Sequence, residues 1–172
     1  FGASRLRMFS FYMPKGEDPA VYKNWVFDHM AELLEVISKW DILPCHENEK
    51  GIYGDLASRC AELHRAFPQL KAVFDPANFV QCGQETLSAW EQLAAYVDYM
   101  HIKDALPNGR VVPAGQGQDA GAPLLQRHHA ALPFQLVQDF TQEIPCLGLP
   151  QDHRNSPDGD LCFAEGFHIQ AN

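Results

Sequence analysis

Long apolar runs are missing from this sequence. No stretch approaches the roughly 20 residues that a membrane-spanning helix needs, and the first residues carry no signal-peptide pattern. Basic residues are few: 13 Lys and Arg stand against 22 Asp and Glu, a formal charge of -9. Such a surface does not track phosphates, which argues against nucleic acid as a partner. Cysteine is odd in number and scattered, at Cys45, Cys60, Cys82, Cys146 and Cys162, with no CxxC pair. Neither a disulfide framework nor a zinc ribbon fits that pattern, and reduced core thiols do. These absences together make a cytoplasmic protein the expectation. A starting Met is also lacking: Phe1 opens onto Leu6-Arg7-Met8-Phe9-Ser10-Phe11, which reads as the middle of a sheet and as part of something longer.

What is present is enough for one globular domain. The 172 residues are 46% hydrophobic and 20% charged, sufficient to bury a core. Arg7 to Phe11 alternates polar and apolar residues as a half-buried strand does. Asp18-Pro19 marks a helix start, and Val26, Met30, Leu33, Leu34 and Ile37 continue it at helical spacing to Lys39. Ile42 to Cys45 is short and apolar, as a buried strand is. A second helix runs from Asp55 to about Phe67, stopped by Pro68. Ala72 to Phe74 is the next strand and Pro76-Ala77-Asn78-Phe79 reads as a loop. Thr86 to Leu93 is helical, capped by Thr86 or Ser88, and Tyr96 to Lys103 is a strand. Strict alternation of this kind predicts an α/β fold with a parallel sheet and right-handed crossovers. After Asp104 come a turn, a Gly-rich loop over 111–117, a helix from Ala122 to about Phe140 and an irregular tail.

Three of these strands deliver a metal-type ligand to one end. Glu47 follows the Ile42 run, Asp75 follows Phe74, and His101 lies in the Tyr96 run, at intervals of 28 and 26 residues. That interval is about one strand-plus-helix unit, so all three side chains belong at the C-terminal ends of successive parallel strands, where barrel enzymes build their sites. Two carboxylates and an imidazole suit Mn, Mg, Co or Zn rather than a thiolate site or a calcium loop. Lys103 and Asp104 adjoin His101 and are read as supporting it, or as a surface ion pair. Glu49 and Lys50 read as loop charges.

The strings around these residues are specific. His46-Glu47-Asn48-Glu49-Lys50-Gly51-Ile52-Tyr53-Gly54-Asp55, Phe74-Asp75-Pro76-Ala77-Asn78-Phe79-Val80-Gln81-Cys82-Gly83 and His101-Ile102-Lys103-Asp104-Ala105, with Gly109 to Gly115 and Arg7 to Phe11, resemble the sugar phosphate isomerase/epimerase family of xylose-isomerase-like TIM barrels. The resemblance covers residues 1–117, and 118–172 diverge.

The resemblance implies a (β/α)8 barrel with one divalent metal at its C-terminal mouth, held by Glu, Asp, His and a second Glu. Glu47, Asp75 and His101 match the first three. In that family the metal holds two adjacent oxygens of a ketose, and two glutamates exchange a proton through an enediolate, with Glu47 as one base here. Arg110 and Asn78 match substrate contacts, and Lys103 is taken with them. The chain departs from the pattern in two ways. A complete barrel takes about 250 residues, so about the last five strand-helix units are expected. The fourth ligand's string is also absent, leaving Glu143 as the nearest candidate for second base and fourth ligand, and Glu165 as the other.

The expected function is metal-dependent isomerisation or epimerisation of a small sugar or keto-polyol. The rival readings are a dehydratase of the inosose type, an AP-endonuclease-like hydrolase, disfavoured by the acidic charge, and a catalytically silent barrel fragment. A partial barrel leaves strand edges open, so self-association into a homo-oligomer is an expectation too.

Overall fold

In the computed structural model, which describes residues 2–113, 115–117 and the backbone of 168–170, four parallel strands carry the site. They are β1 (Arg5–Met8), β2 (Leu43–Glu47), β3 (Lys71–Phe74) and β4 (Val97–Met100), hydrogen-bonded in that order. Helices α1 (Lys23–Ile37), α2 (Ala57–Ala66), α3 (Pro76–Gln81) and α4 (Thr86–Leu93) fill the crossovers. A short antiparallel pair, β5 (Asp104–Ala105) and β6 (Val111–Val112), follows, and β7 (His168–Gln170) runs antiparallel along the outer edge of β1. No described helix is long and apolar enough to cross a membrane.

The pleat sorts the side chains. Alternate residues of a strand face opposite sides, and Leu6, Met8, Phe74 and Met100 turn to the helices. Met8 packs with Val26, Met30, Leu34 and Ile37 of α1 and with Tyr53, Leu63 and Leu70. Phe74 and Met100 pack with Ala57, Cys60 and Ala61 of α2, Phe79 of α3 and Ala89, Trp90 and Leu93 of α4. The opposite face carries Cys45, Val73 and Tyr99 as a small apolar floor, with Arg7 and Glu47 beyond it. The inner face thus has an apolar middle with the ionic cluster at the C-terminal ends of the strands.

A register shift between Ala72 and Val73 pairs Ala72 with Val97 but Val73 with Tyr99, so Asp98 is the extra residue of a bulge. Bulges re-aim side chains, and this one sends Asp98 across the concave face to Arg5 of β1, with Nε to Oδ2 at 2.5 Å. The sheet is therefore rolled, its first and fourth strands meeting by side chains.

Local structure departs from the sequence expectations at several places. The first strand is Arg5–Met8 rather than Arg7 to Phe11, because Phe11 takes a left-handed φ of 64° and turns the chain. The segment read as a loop after Asp75 is helix α3, started by Pro76 at its first position and by Asp75, whose Oδ1 accepts the Asn78 N–H at 3.1 Å. Helix α4 has its expected bounds, but its cap is Glu85, which accepts the Leu87 and Ser88 N–H groups, and not Thr86 or Ser88. The Gly-rich stretch contributes β6 to a hairpin, and β7 lies in the tail read as irregular. The helix expected from Ala122 to about Phe140 lies outside the described residues.

Candidate metal centre

Glu47 ends β2, and Asp75 and His101 follow β3 and β4 directly. A hydrogen bond from the His101 N–H to the Phe74 carbonyl, 3.0 Å, continues the ladder past β4 and sets His101 beside Asp75. Period-two alternation then turns all three side chains inward with Arg7 and Tyr99. The three are buried, and each offers a ligand atom within 4.8 Å of the others. His101 Nδ1 lies 2.7 Å from Glu47 Oε1 and 3.3 Å from Asp75 Oδ2.

Two further cations converge on the carboxylates. Arg7 Nη1 is 2.9 Å from Glu47 Oε2, and Lys103 Nζ is 3.0 Å from Asp75 Oδ2. Burial alone would lower the His101 pKa, but the adjacent Asp75 and Glu47 carboxylates outweigh it and raise it to about 10. For Lys103, burial likewise opposes the charge while Asp75 favours it, and the net shift is upward. Without a metal the two carboxylates thus face three cationic side chains, Arg7, His101 and Lys103.

The donor set fits a divalent ion. Neither Glu47 Oε2 nor Asp75 Oδ2, both fully buried, receives an aligned hydrogen bond; each meets a cation instead. Buried carboxylate oxygens left to ionic partners are what a hard metal takes as ligands. Glu47, Asp75 and His101 could therefore hold a metal ion.

The neighbouring residues divide into framework and rim. Asn48 is buried, and its side-chain amide pairs with the Asp75 backbone at both ends, Nδ2 donating to the carbonyl and Oδ1 accepting the N–H, each at 2.8 Å. Asn78, matched in sequence to a substrate contact, is buried too; its Nδ2 donates to the Asn48 carbonyl at 2.8 Å and to Glu49 Oε2 at 3.3 Å. Glu49 is more than a loop charge: it is half-buried over Asn78, and its carboxyl is pushed up, chiefly by burial. Arg110 is exposed in the hairpin between β5 and β6 and is not among the groups touching the cluster.

Lys103 supports the cluster through Asp75 rather than through His101. Asp104, read as a partner of His101, instead accepts the N–H groups of Ala105, Gly115 and Gly117 at 2.8, 3.2 and 2.9 Å, folding the Gly-rich loop back on β5. Glu143 and Glu165 lie outside the described residues. Sequence reasoning missed Arg7 and Asn48. The first carried a signal, being an inward-parity charge in a strand; the second showed only its position beside Glu47.

No family model matches the chain, and no curated protein does. Solved structures do. One is the probable 3-DHS dehydratase AsbF from Bacillus anthracis, involved in petrobactin synthesis, with a TM-score of 0.63 and 14% identity over 74% of this chain and 54% of that one. Another is a D-tagatose 3-epimerase-like protein, with a TM-score of 0.62 and 16% identity over 73% of this chain and 51% of that one. The chain spans about half the length of either structure. At these identities the likeness bears on architecture, and the architecture is that of a partial (β/α)8 barrel.

Proposed function

We propose that the chain carries the site of a divalent-metal-dependent isomerase or epimerase acting on a small sugar or keto-polyol. The observation that carries this reading is the convergence of Glu47, Asp75 and His101, with ligand atoms within 4.8 Å, at the C-terminal ends of parallel strands. A divalent ion bound there would polarise a substrate carbonyl and acidify the adjacent C–H. Glu47 is the base that removes that proton. Arg7 holds the Glu47 carboxylate in place, and Lys103 does the same for Asp75 while presenting a cation to substrate oxygens. Epimerisation needs a second group to return the proton from the other face, the role proposed for Glu143, which is also the proposed fourth ligand. Arg110 is the more distant proposed substrate contact.

A dehydratase is the second reading, supported by the likeness in fold to the probable 3-DHS dehydratase. The first step is the same, removal of a proton beside a carbonyl, but the hydroxyl on the next carbon then leaves with a proton as water.

The test is metal content of the purified chain, alongside Glu47→Gln and His101→Ala, followed by a ketose panel read by mass and by stereochemistry. About one Mn, Mg, Co or Zn per chain in the wild type, lost in both variants, with product of unchanged mass, is the expected result. A product lighter by one water would establish the dehydratase. Absence of metal and of turnover would leave a silent barrel portion.

A further inference from the structure

We infer that Asn48 is the positioning residue of this site, setting the spacing of Glu47 and Asp75 by acting as one more rung of the β2–β3 ladder. The inference rests on the metal-centre reading above. The backbone pairing of these strands runs from Cys45 with Lys71 to Glu47 with Val73. Beyond Glu47 the side chain of Asn48 takes over, because a carboxamide, like a peptide group, carries N–H donor and C=O acceptor on one planar unit. Its two 2.8 Å bonds to the carbonyl and N–H of Asp75 reproduce what a partner strand would supply. Ionised Asp offers acceptors only, Ser carries its donor and acceptor on a single atom, and Gln places them one methylene too far.

The pairing is closed on the other side. Asn78 Nδ2 donates to the Asn48 carbonyl, and the Asn78 N–H donates to Asp75 Oδ1. Asn48, Asp75 and Asn78 form a buried ring of four hydrogen bonds with one carboxylate ligand in it and the other adjacent in sequence. One Asp75 oxygen is thereby committed to the ring, which leaves Oδ2 turned toward His101 and Lys103. Asn78 therefore serves the framework at a position that sequence matching gave to substrate. Outer partners of metal ligands commonly change affinity by about 10–100-fold when removed.

The experiment is Mn titration of the full chain, with bound Mn read by its electron paramagnetic resonance spectrum, for wild type, Asn48→Ala, Asn78→Ala and Leu63→Ala. Leu63 is buried in the α1-side core and its truncation costs stability away from the site. Asn48→Ala is expected to weaken Mn binding about 10–100-fold, with a changed spectrum of the Mn that remains bound. Asn78→Ala should do so to a smaller degree, and Leu63→Ala should lower the melting temperature while leaving Mn affinity as in the wild type. Should Asn48→Ala fail to fold, Asn78→Ala carries the same test. Wild-type affinity and spectrum in the folded Asn variants would overturn the inference while leaving the metal centre standing. A wild type that binds no Mn would overturn the metal centre and this inference together.

Discussion

Arg7 Nη1 and Glu47 Oε2 stand 2.9 Å apart on the inner face of adjacent strands, the guanidinium mostly buried and the carboxylate almost wholly so. Removing Arg7 strips Glu47 Oε2 of its direct cation while His101 still faces Oε1, so the loss stays below the roughly 3–5 kcal/mol of a buried charge left wholly unpaired. Arg7→Met should therefore lower stability in urea unfolding by about 2–3 kcal/mol, the lower bound reflecting the water that Arg7 retains. Adding Glu47→Gln should restore part of the loss. Equal midpoints for wild type and Arg7→Met would show that the pair contributes nothing.

Asp75 has two duties that substitution can separate. Asp75→Asn keeps an oxygen to cap α3 but discards the charge facing His101 and Lys103, whereas Asp75→Ala loses both. Both variants should lose metal. The alanine variant should be less stable than the asparagine one by about 1 kcal/mol, the usual worth of an N-cap. Equal unfolding free energies for the two would remove the cap from the account.

His64 should make the fold acid-sensitive. Its ring is buried, stacks on Tyr96 at 5.1 Å and meets His46 edge-on at 5.9 Å, with Nδ1 on the Leu70 carbonyl. Burial first, then the nearby Lys71 charge, lower its pKa to about 4, against the Leu70 contact that raises it. The unfolded chain takes up this proton below about pH 6.5 and the folded chain only near 4. Stability is fully present above the unfolded value and falls as pH drops from 6.5 to 4. His64→Phe should lessen the slope of that limb of the stability–pH curve, measured by thermal melts, with buried His46, lowered to about 3, keeping the remainder; an unchanged slope would count against the assignment.

Gly54 is kept small by its neighbours. A Cβ there would lie 2.5 Å from His46 Cε1 and 2.9 Å from Ser10 Oγ, atoms that are themselves paired, His46 Nε2 with Ser10 Oγ at 2.9 Å. Gly54→Ala should cost about 1–3 kcal/mol by overpacking, and a neutral melting temperature would mean that the loop yields freely.

The gathering of Glu47, Asp75 and His101 was legible because strand period and unit length together fix both the face and the end of the sheet at which they emerge. Helix α4 was legible for a similar reason, its apolar residues recurring over two full turns. Helix α3 was missed although Asp75-Pro76 is a start signal, because six residues give too short a period to read. Arg7 declares an inward charge but not its partner, which lies 40 residues on and meets it only once the strands pair. Asp104 was assigned to its sequence neighbour, whereas its oxygens take N–H groups 11 and 13 residues away. The pairing of β7 with β1 depends on strands at opposite ends of the chain, which no local pattern encodes.

The bridge between Arg5 and Asp98 works as a tie-rod. It joins the first and fourth strands beside Cys45, Val73 and Tyr99, so the curl of the sheet is held at the end away from Glu47, Asp75 and His101. The side chains that keep the curvature are therefore not those of the ionic cluster, and either set can be substituted with the other left in place.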